Sequence, residues 1–326
     1  MTIAILGTVV YDEIFTYRGV RNESYGGITY NVAALSSLVD ESAMICPVAN
    51  IGEDRANEIC SVLGGYKQTD CGHLAVIDQP NTNVKLVYSS ISERSEAIWH
   101  IPPALTKKTL TDAVGVDAIL INFITGQELT LDALVELRSS TSALIHMDVH
   151  NRISSWGDDG GRTITGFGGW EEWLAHVDTV QMNEMESEVL LKEEITEIDG
   201  FLDAAKRFVE AGLKAAMVTL GPLGSVVAYR ADDGVYGCHC PAAVLGDVID
   251  TTGCGDSFSA GFVWNFLSSG DPLLANAAAN IVGGVNCITP GIGGLTQAKG
   301  ALDQLPKIFP ELMDRIDGGW PGARLD

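Results

Sequence analysis

Asp250-Thr-Thr-Gly-Cys-Gly-Asp256 is the most chemically informative stretch of this 326-residue chain. It runs into Phe258, Phe262, Val263, Phe266 and Leu267, which form one helical face, and Gly270 with Pro272 supplies a stop. A Gly-x-Gly-Asp turn therefore opens a helix. Small residues let backbone N–H groups approach a ligand, and a helix start adds positive potential, so the turn suits an anion. The spacing is neither Gly-x-Gly-x-x-Gly after an early strand nor Gly-x4-Gly-Lys-Ser/Thr, which sets aside dinucleotide and P-loop folds. Asp256 at such a turn has two readings, a helix N-cap or a general base that takes a proton from a hydroxyl while phosphate lies on the neighbouring amides.

The elements that must position this turn are legible in the hydropathy pattern. Short apolar runs at 3–9, 43–49, 118–123, 144–148, 179–182 and 215–220 predict strands. Helix-period segments at 29–38, 55–63, 131–137 and 202–211 lie between several of them. Continuously apolar strands separated by helices imply a parallel sheet covered on both faces. Two stretches, 15–25 and 74–99, alternate polar and apolar residues without a helical stripe. They predict half-exposed antiparallel strands forming a flap over a ligand cleft. The simplest organisation is one α/β domain over 1–326 with a β excursion. The tail from Gly318 is expected to be loosely ordered.

Composition narrows the function. Acidic side chains number 43 against 20 basic ones, a formal net charge of −23. With no Lys/Arg-rich block, nucleic acid and acidic membranes are poor partners. The N-terminus reads as a buried strand rather than a signal peptide, and no apolar run reaches membrane-spanning length. The seven cysteines (46, 60, 71, 238, 240, 254 and 287) are scattered, which predicts reduced thiols in a cytoplasmic protein. Cys238-His239-Cys240 lacks zinc-knuckle spacing and reads as a buried strand.

Asp250-Thr-Thr-Gly-Cys-Gly-Asp256 resembles the Asp-Thr-x-Gly-Ala-Gly-Asp signature of the ribokinase-like (PfkB) family of small-molecule kinases. Other landmarks of that family follow in register. Gly26-Gly27-Ile-Thr-Tyr-Asn31 resembles its N-terminal Gly-Gly segment, and Asp148-Val-His-Asn-Arg152-Ile-Ser-Ser-Trp156 its Asp-Pro-Asn-x-Arg loop. Asn183-Glu-Met-Glu186 is similar to its Asn-x-x-Glu motif, and Thr219-Leu-Gly-Pro-Leu-Gly224 to its Thr-x-Gly-x-x-Gly turn. The resemblance spans about residues 3 to 295. It implies a ribokinase-like three-layer α/β/α sandwich with a mostly parallel central sheet and a small β-sheet lid, its strands inserted at about 13–25 and 72–100.

The resemblance also implies roles. Asp256 takes the position of the general base, with the amides of Gly253, Cys254 and Gly255 forming an anion hole. Asp12, Gly27, Asn31 and Arg152 fall where the family binds substrate. Asn183, Thr219, Gly221, Gly224 and Asn280 fall on the nucleotide side. Glu186 would hold Mg²⁺ through water, and Asp250 matches a position that holds K⁺ in some members. The implied activity is ATP-dependent phosphorylation of a hydroxyl of a sugar or sugar-like molecule.

Three departures from ribokinase proper weaken ribose as a first guess: Val10, Ile28 and the missing carboxylate near Phe123-Ile124. Arg152 matches a residue used by sugar-acid kinases but is shared more widely. A nucleoside kinase, with Tyr88 and Trp99 stacking a base, is the nearest alternative. A silent sugar- or nucleotide-binding regulator is a second, disfavoured because a binding module needs no base. The lid strands offer an edge for a homodimer. With no P-loop lysine, ATP affinity should depend strongly on Mg²⁺.

Overall fold

The computed structural model describes all residues except 17, 18, 90–93 and 326. Its centre is a ten-stranded sheet. From one edge to the other run Ala323–Arg324, Gly234–Cys240, Ser225–Ala231, Ala215–Thr219, Thr179–Asn183, Leu144–Asp148, Ala118–Asn122, Thr2–Leu6, Met44–Gly52 and Leu74–Ile77. Pairing is parallel from Leu74–Ile77 across to Ala215–Thr219 and antiparallel beyond it.

Strand Thr2–Leu6 shows why the architecture has three layers. Successive side chains of a strand point to opposite faces. Ile3 and Ile5 accordingly join a core with helices Ile28–Leu38, Cys254–Ser269 and Pro272–Cys287. Ala4 and Leu6 join a separate core with helices Leu131–Ser140 and Ile198–Glu210. A parallel sheet buried on both faces needs strands apolar throughout, which accounts for the continuous runs in the sequence.

The lid is a four-stranded sheet in the order Arg21–Gly27, Val9–Phe15, Asn83–Tyr88, Arg94–Trp99. Its structure corrects the sequence reading in three places. The predicted strand 3–9 ends at Leu6, and Val9 already begins a lid strand. At the turn between them, a Cβ on Gly7 would lie 2.3 Å from the Ile28 side chain. The lid is also not wholly antiparallel, because Val9–Phe15 pairs parallel with Asn83–Tyr88. Leu74–Ile77 belongs not to the lid but to the edge of the central sheet, beside Met44–Gly52; Leu-Ala-Val-Ile has no polar alternation that a lid strand would require.

Two further expectations are revised. The tail contributes strand Ala323–Arg324, which pairs with Tyr236 and Gly237. Cys254 and Cys287 are joined as a disulfide with Cα atoms 6.2 Å apart, so the thiols are not all reduced. The helix start and helix end that carry them are 33 residues apart in sequence, and only the antiparallel packing of two helices brings them together. Cys238 and Cys240 lie buried in a strand, as read, and burial pushes the Cys238 thiol up to about 12. Among the described residues no His/Cys/Asp/Glu group could hold a metal ion, and no helix is long and apolar enough to cross a membrane.

Candidate active site

Parallel strands deliver their carboxyl ends to one edge of a sheet, where loops and helix starts leave a crevice. Here the register aligns Asn122 with Asp148, and Asn183 with Thr219, along that edge. Helix Cys254–Ser269 starts over it. Its N-cap, Gly253, has φ 76°, a left-handed conformation natural to glycine. A Cβ there would also strike the Tyr30 ring at 2.2 Å. The first amides of a helix have no intrahelical acceptor; the Ser257 N–H is the first to reach one, the Gly253 carbonyl at 2.9 Å. The Cys254 N–H is turned toward the Thr251 carbonyl at 3.3 Å.

Asp256 sits in the first turn of this helix, 8% exposed. The Asn122 side chain donates to its Oδ1 at 2.7 Å and to Asn31 Oδ1 at 2.9 Å. Asn31 in turn donates to the Asp256 carbonyl at 2.8 Å. Asp256 is thereby held from two elements, its carboxylate by Asn122 and its backbone carbonyl by Asn31, without being an N-cap. Asn31, read as substrate wall, is fully buried and braces Asp256 instead. Asn122 was missed, although a lone polar residue closing the apolar run Ala-Ile-Leu-Ile was a usable signal.

Beneath Asp256 runs a buried polar chain. Ser259, one turn along the helix, donates to Asp148 Oδ2 at 3.0 Å and contacts His146 Nε2 at 3.2 Å. His146 Nδ1 meets the Thr179 hydroxyl at 2.9 Å. The Gln181 amide, oriented with its nitrogen toward the carboxylate, reaches Asp148 at 2.8 Å. Burial pulls the His146 pKa down to about 3, so the ring is neutral. Burial, together with the charges of Asp256 and Glu186, holds the Asp148 carboxyl well above its ordinary value.

Asp12, Gly27 and Asp256 meet in a cavity of about 60 Å³ between lid and helix start. Its polar lining also includes Tyr30, Glu96, His150 and Thr252; Val10, Val84, Leu86 and Ile124 give it an apolar wall. The Asp12 carboxylate lies where a Cβ on Gly26 would be, 1.9 Å away, so the glycine pair is what seats it. The Tyr88 hydroxyl, on the lid, bonds the Thr252 hydroxyl at 2.8 Å and ties the lid to the Asp250–Asp256 loop. The Tyr30 hydroxyl is buried without a hydrogen-bond partner among the described residues. Such a group costs on the order of 1–3 kcal/mol. Trp99 lies elsewhere, lining a second cavity with Glu13 and Arg55. Arg152 is absent from the lining of the Asp256 cavity, and its guanidinium rests 4.7 Å from the Trp173 ring and 4.9 Å from that of Phe167.

The nucleotide-side residues are also gathered at the strand ends, but they bond one another. Asn183 caps helix Glu184–Leu191 in a full capping box, accepting from the Glu186 N–H at 2.9 Å while Glu186 accepts from the Asn183 N–H at 2.8 Å. The Asn183 amide donates to Glu186 Oε1 at 2.7 Å as well. Burial pushes the Glu186 pKa up to about 7. Thr219 ends its strand beside Asn183, and Gly221 and Gly224 bound the short helical turn Gly221–Leu223. Asn280 is turned inward, donating to Ser225 at 2.7 Å and to the Asn276 carbonyl at 3.0 Å. Asp250 accepts from the Thr252 and Gly291 N–H groups at 2.9 and 3.4 Å, bracing the loop.

A three-layer α/β/α sandwich with a lid, and a helix start beside an oriented carboxylate at the carboxyl ends of its strands, define the ribokinase-type sugar kinases, which transfer phosphate to an alcohol. The chain matches the pfkB family carbohydrate kinase over residues 17–297 and belongs to that family. Ribokinase of Haemophilus influenzae is 21% identical over 280 residues, covering 80% of this chain and 84% of the relative. The ATP-dependent ribose-1-phosphate kinase of Halopiger xanaduensis is 26% identical over 306 residues, 90% of this chain and 89% of the relative. Among solved structures, Arabidopsis thaliana ribokinase with ribose and ATP superposes with a TM-score of 0.74 at 18% identity. That match covers 93% of this chain and 98% of the other.

Proposed function

We propose that this sugar kinase transfers the γ-phosphoryl group of ATP to a hydroxyl of a sugar or sugar-like molecule, with Asp256 as the general base. The observation that carries this reading is the Asp256 carboxylate itself. It is fixed by Asn122 at 2.7 Å, lines the cavity with Asp12 and Gly27, and stands in the first turn of a helix, where unpaired amides suit an anion. The acceptor lies under the lid with a hydroxyl on Asp256 and another on Asp12. Asp256 takes the proton as phosphate moves in line, and the helix-start amides 253–256 stabilise the charge on the transferring group.

The nucleotide lies toward Asn183, Thr219, Gly221 and Gly224, with Asn280 behind the pocket wall. Both Glu186 oxygens already accept hydrogen bonds from Asn183. Its remaining lone pairs fit a hydrated Mg²⁺ held through water better than direct ligation. Bound there, Mg²⁺ neutralises phosphate charge. K⁺ at Asp250 would have to share a carboxylate that already braces the loop. Arg152, packed against aromatic rings, supports its neighbours rather than a sugar acid. A homodimer through the lid would use strand Arg21–Gly27, since Arg94–Trp99 is partly covered by a bridge from Ala97 to Gly161.

The nucleoside alternative loses support from the side chains proposed to stack a base: Tyr88 is hydrogen-bonded to Thr252, and Trp99 lines a different cavity. The test is ADP release over a panel of sugars, polyols and nucleosides, with and without Mg²⁺. Mg²⁺-dependent turnover of a sugar supports the reading. Preference for a nucleoside, or equal binding of free and Mg²⁺-loaded ATP, contradicts it.

A further inference from the structure

Helices Cys254–Ser269 and Pro272–Cys287 run antiparallel, so the start of one lies beside the end of the other. Glycines let them close up. A Cβ on Gly261 would lie 2.9 Å from the Val282 side chain, and one on Gly283 would lie 3.2 Å from the Cys254 carbonyl. The end of the second helix is also where the Asp250–Asp256 turn is anchored. The Cys287 carbonyl accepts from the Ile249 and Asp250 N–H groups at 2.8 and 3.2 Å. The side-chain amide of Asn286, 1% exposed, donates to the Thr252 carbonyl at 2.6 Å. The Cys254–Cys287 disulfide adds a covalent tie at the residue that follows Gly253. Of these ties it is the one that redox chemistry makes and breaks.

The bridged pair differs from the buried thiols. Cys254 and Cys287 are half-buried and open to a small dithiol, whereas Cys238 and Cys240 lie inside the fold. Burial pushes the Cys238 thiol up to about 12 and raises that of Cys240 as well, which keeps both protonated and slow to exchange. Thiol–disulfide exchange needs a thiolate attacker and a sulfur within its reach. A dithiol reductant supplies the attacker and both electrons. One of its thiolates attacks a sulfur of the bridge, and the S–S bond breaks as a mixed disulfide forms. Its second thiolate then displaces the protein sulfur. Cys254 and Cys287 end as two thiols, carrying the two protons the reductant has lost, and the reductant ends as a cyclic disulfide. That cyclic disulfide runs the same exchange backwards.

We propose that the Cys254–Cys287 pair is a redox switch on the anion-binding turn. As a disulfide it holds the helix-start amides 253–256 in place for the phosphates of ATP. As a dithiol it leaves that turn on hydrogen bonds alone and lowers the affinity for ATP. Reducing surroundings thereby turn phosphoryl transfer down, and oxidising surroundings turn it up. The effect on ATP rests on the function proposed above, whereas the state of the bridge does not.

The experiment compares the full chain equilibrated, while folded, with oxidised or with reduced dithiothreitol. Alkylation in denaturant followed by intact mass should count five modified cysteines in the oxidised sample and all seven in the reduced one. Reduction should raise the Kd for Mg²⁺·ATP about fivefold, read by titration without acceptor. It should also lower Tm by about 5 °C, as expected for opening a loop of this length. Cys287→Ser keeps the backbone carbonyl and removes the bridge, so in both samples it should match the reduced wild type. Cys60→Ser removes an exposed free thiol and should respond as the wild type does. Seven modified cysteines in both samples, or five in both, overturn the inference. An unchanged Kd on reduction leaves the bridge a structural staple and overturns the switch. An equal response in Cys287→Ser assigns the effect to another thiol and overturns it too. Redox-dependent ATP binding without ADP release on any acceptor overturns the proposed function and leaves this inference standing. A chain that binds no ATP in either state overturns both.

Discussion

The acceptor cavity and the donor side share one row of strand ends but are built on opposite principles. Under the lid, polar side chains line a cavity, and the Tyr30 hydroxyl has no partner among the described residues. On the donor side, Asn183 and Glu186 bond each other, and Asn280 is turned to Ser225 and Asn276. What remains for a phosphate chain there is mostly backbone, the first amides of helix Cys254–Ser269 and the glycine turn before Ser225. On the proposed function, side chains would read the acceptor and backbone geometry the donor. Changing the sugar would then take point substitutions, and changing the phosphate donor a different turn.

The comparison can be broken at its border by Asp256→Asn, which keeps the shape and the bond from Asn122 but removes the base. Turnover should fall by about 10²–10⁴-fold with ATP binding retained, measured by coupled assay and nucleotide titration. Near-normal turnover would remove Asp256 from the mechanism. On the donor side, Glu186→Gln removes a charge and one of the two oxygens that accept from Asn183. The apparent Mg²⁺ affinity should drop by about ten- to a hundredfold with acceptor KM unchanged, and an equal change in both would erase the division.

The shared floor is tested through His146, whose pKa of about 3 lies below the unfolded value. Between the two values only the unfolded chain binds the proton, so this contribution rises with pH and is lost as pH falls from about 6.5 toward 3. By pH 5 it amounts to about 2 kcal/mol. The raised carboxyls of Asp148 and Glu186 act in the opposite sense, so the clean measurement is a difference. Denaturant unfolding of His146→Gln should lack the part of the pH 7-to-5 loss that the wild type shows. The smallest effect is expected from Tyr88→Phe, which cuts the lid's bond to Thr252. About 1 kcal/mol, or roughly fivefold in acceptor KM, should follow, with kcat little changed.

The strands and the helix after Asp256 were legible because buried parallel strands and amphipathic helices leave periodic traces. Leu74–Ile77 was misplaced because its four apolar residues were read together with the alternating stretch that follows them. The disulfide was invisible because it depends on how two helices pack. At the site, the motif residues were found, but their duties were less legible. Asn31 and Asn122 hold Asp256 from elements far apart in sequence, and Arg152 is enclosed by rings contributed by other segments. A sequence shows which polar residues sit at strand ends; it does not show whether each will face a ligand or a neighbour.

The cavity between lid and helix start is partly open to solvent. The Tyr88–Thr252 bond latches the lid to a loop that lines that cavity. A lid held in this way over a bound nucleotide would keep bulk water from the phosphoryl group and so protect it from wasteful hydrolysis.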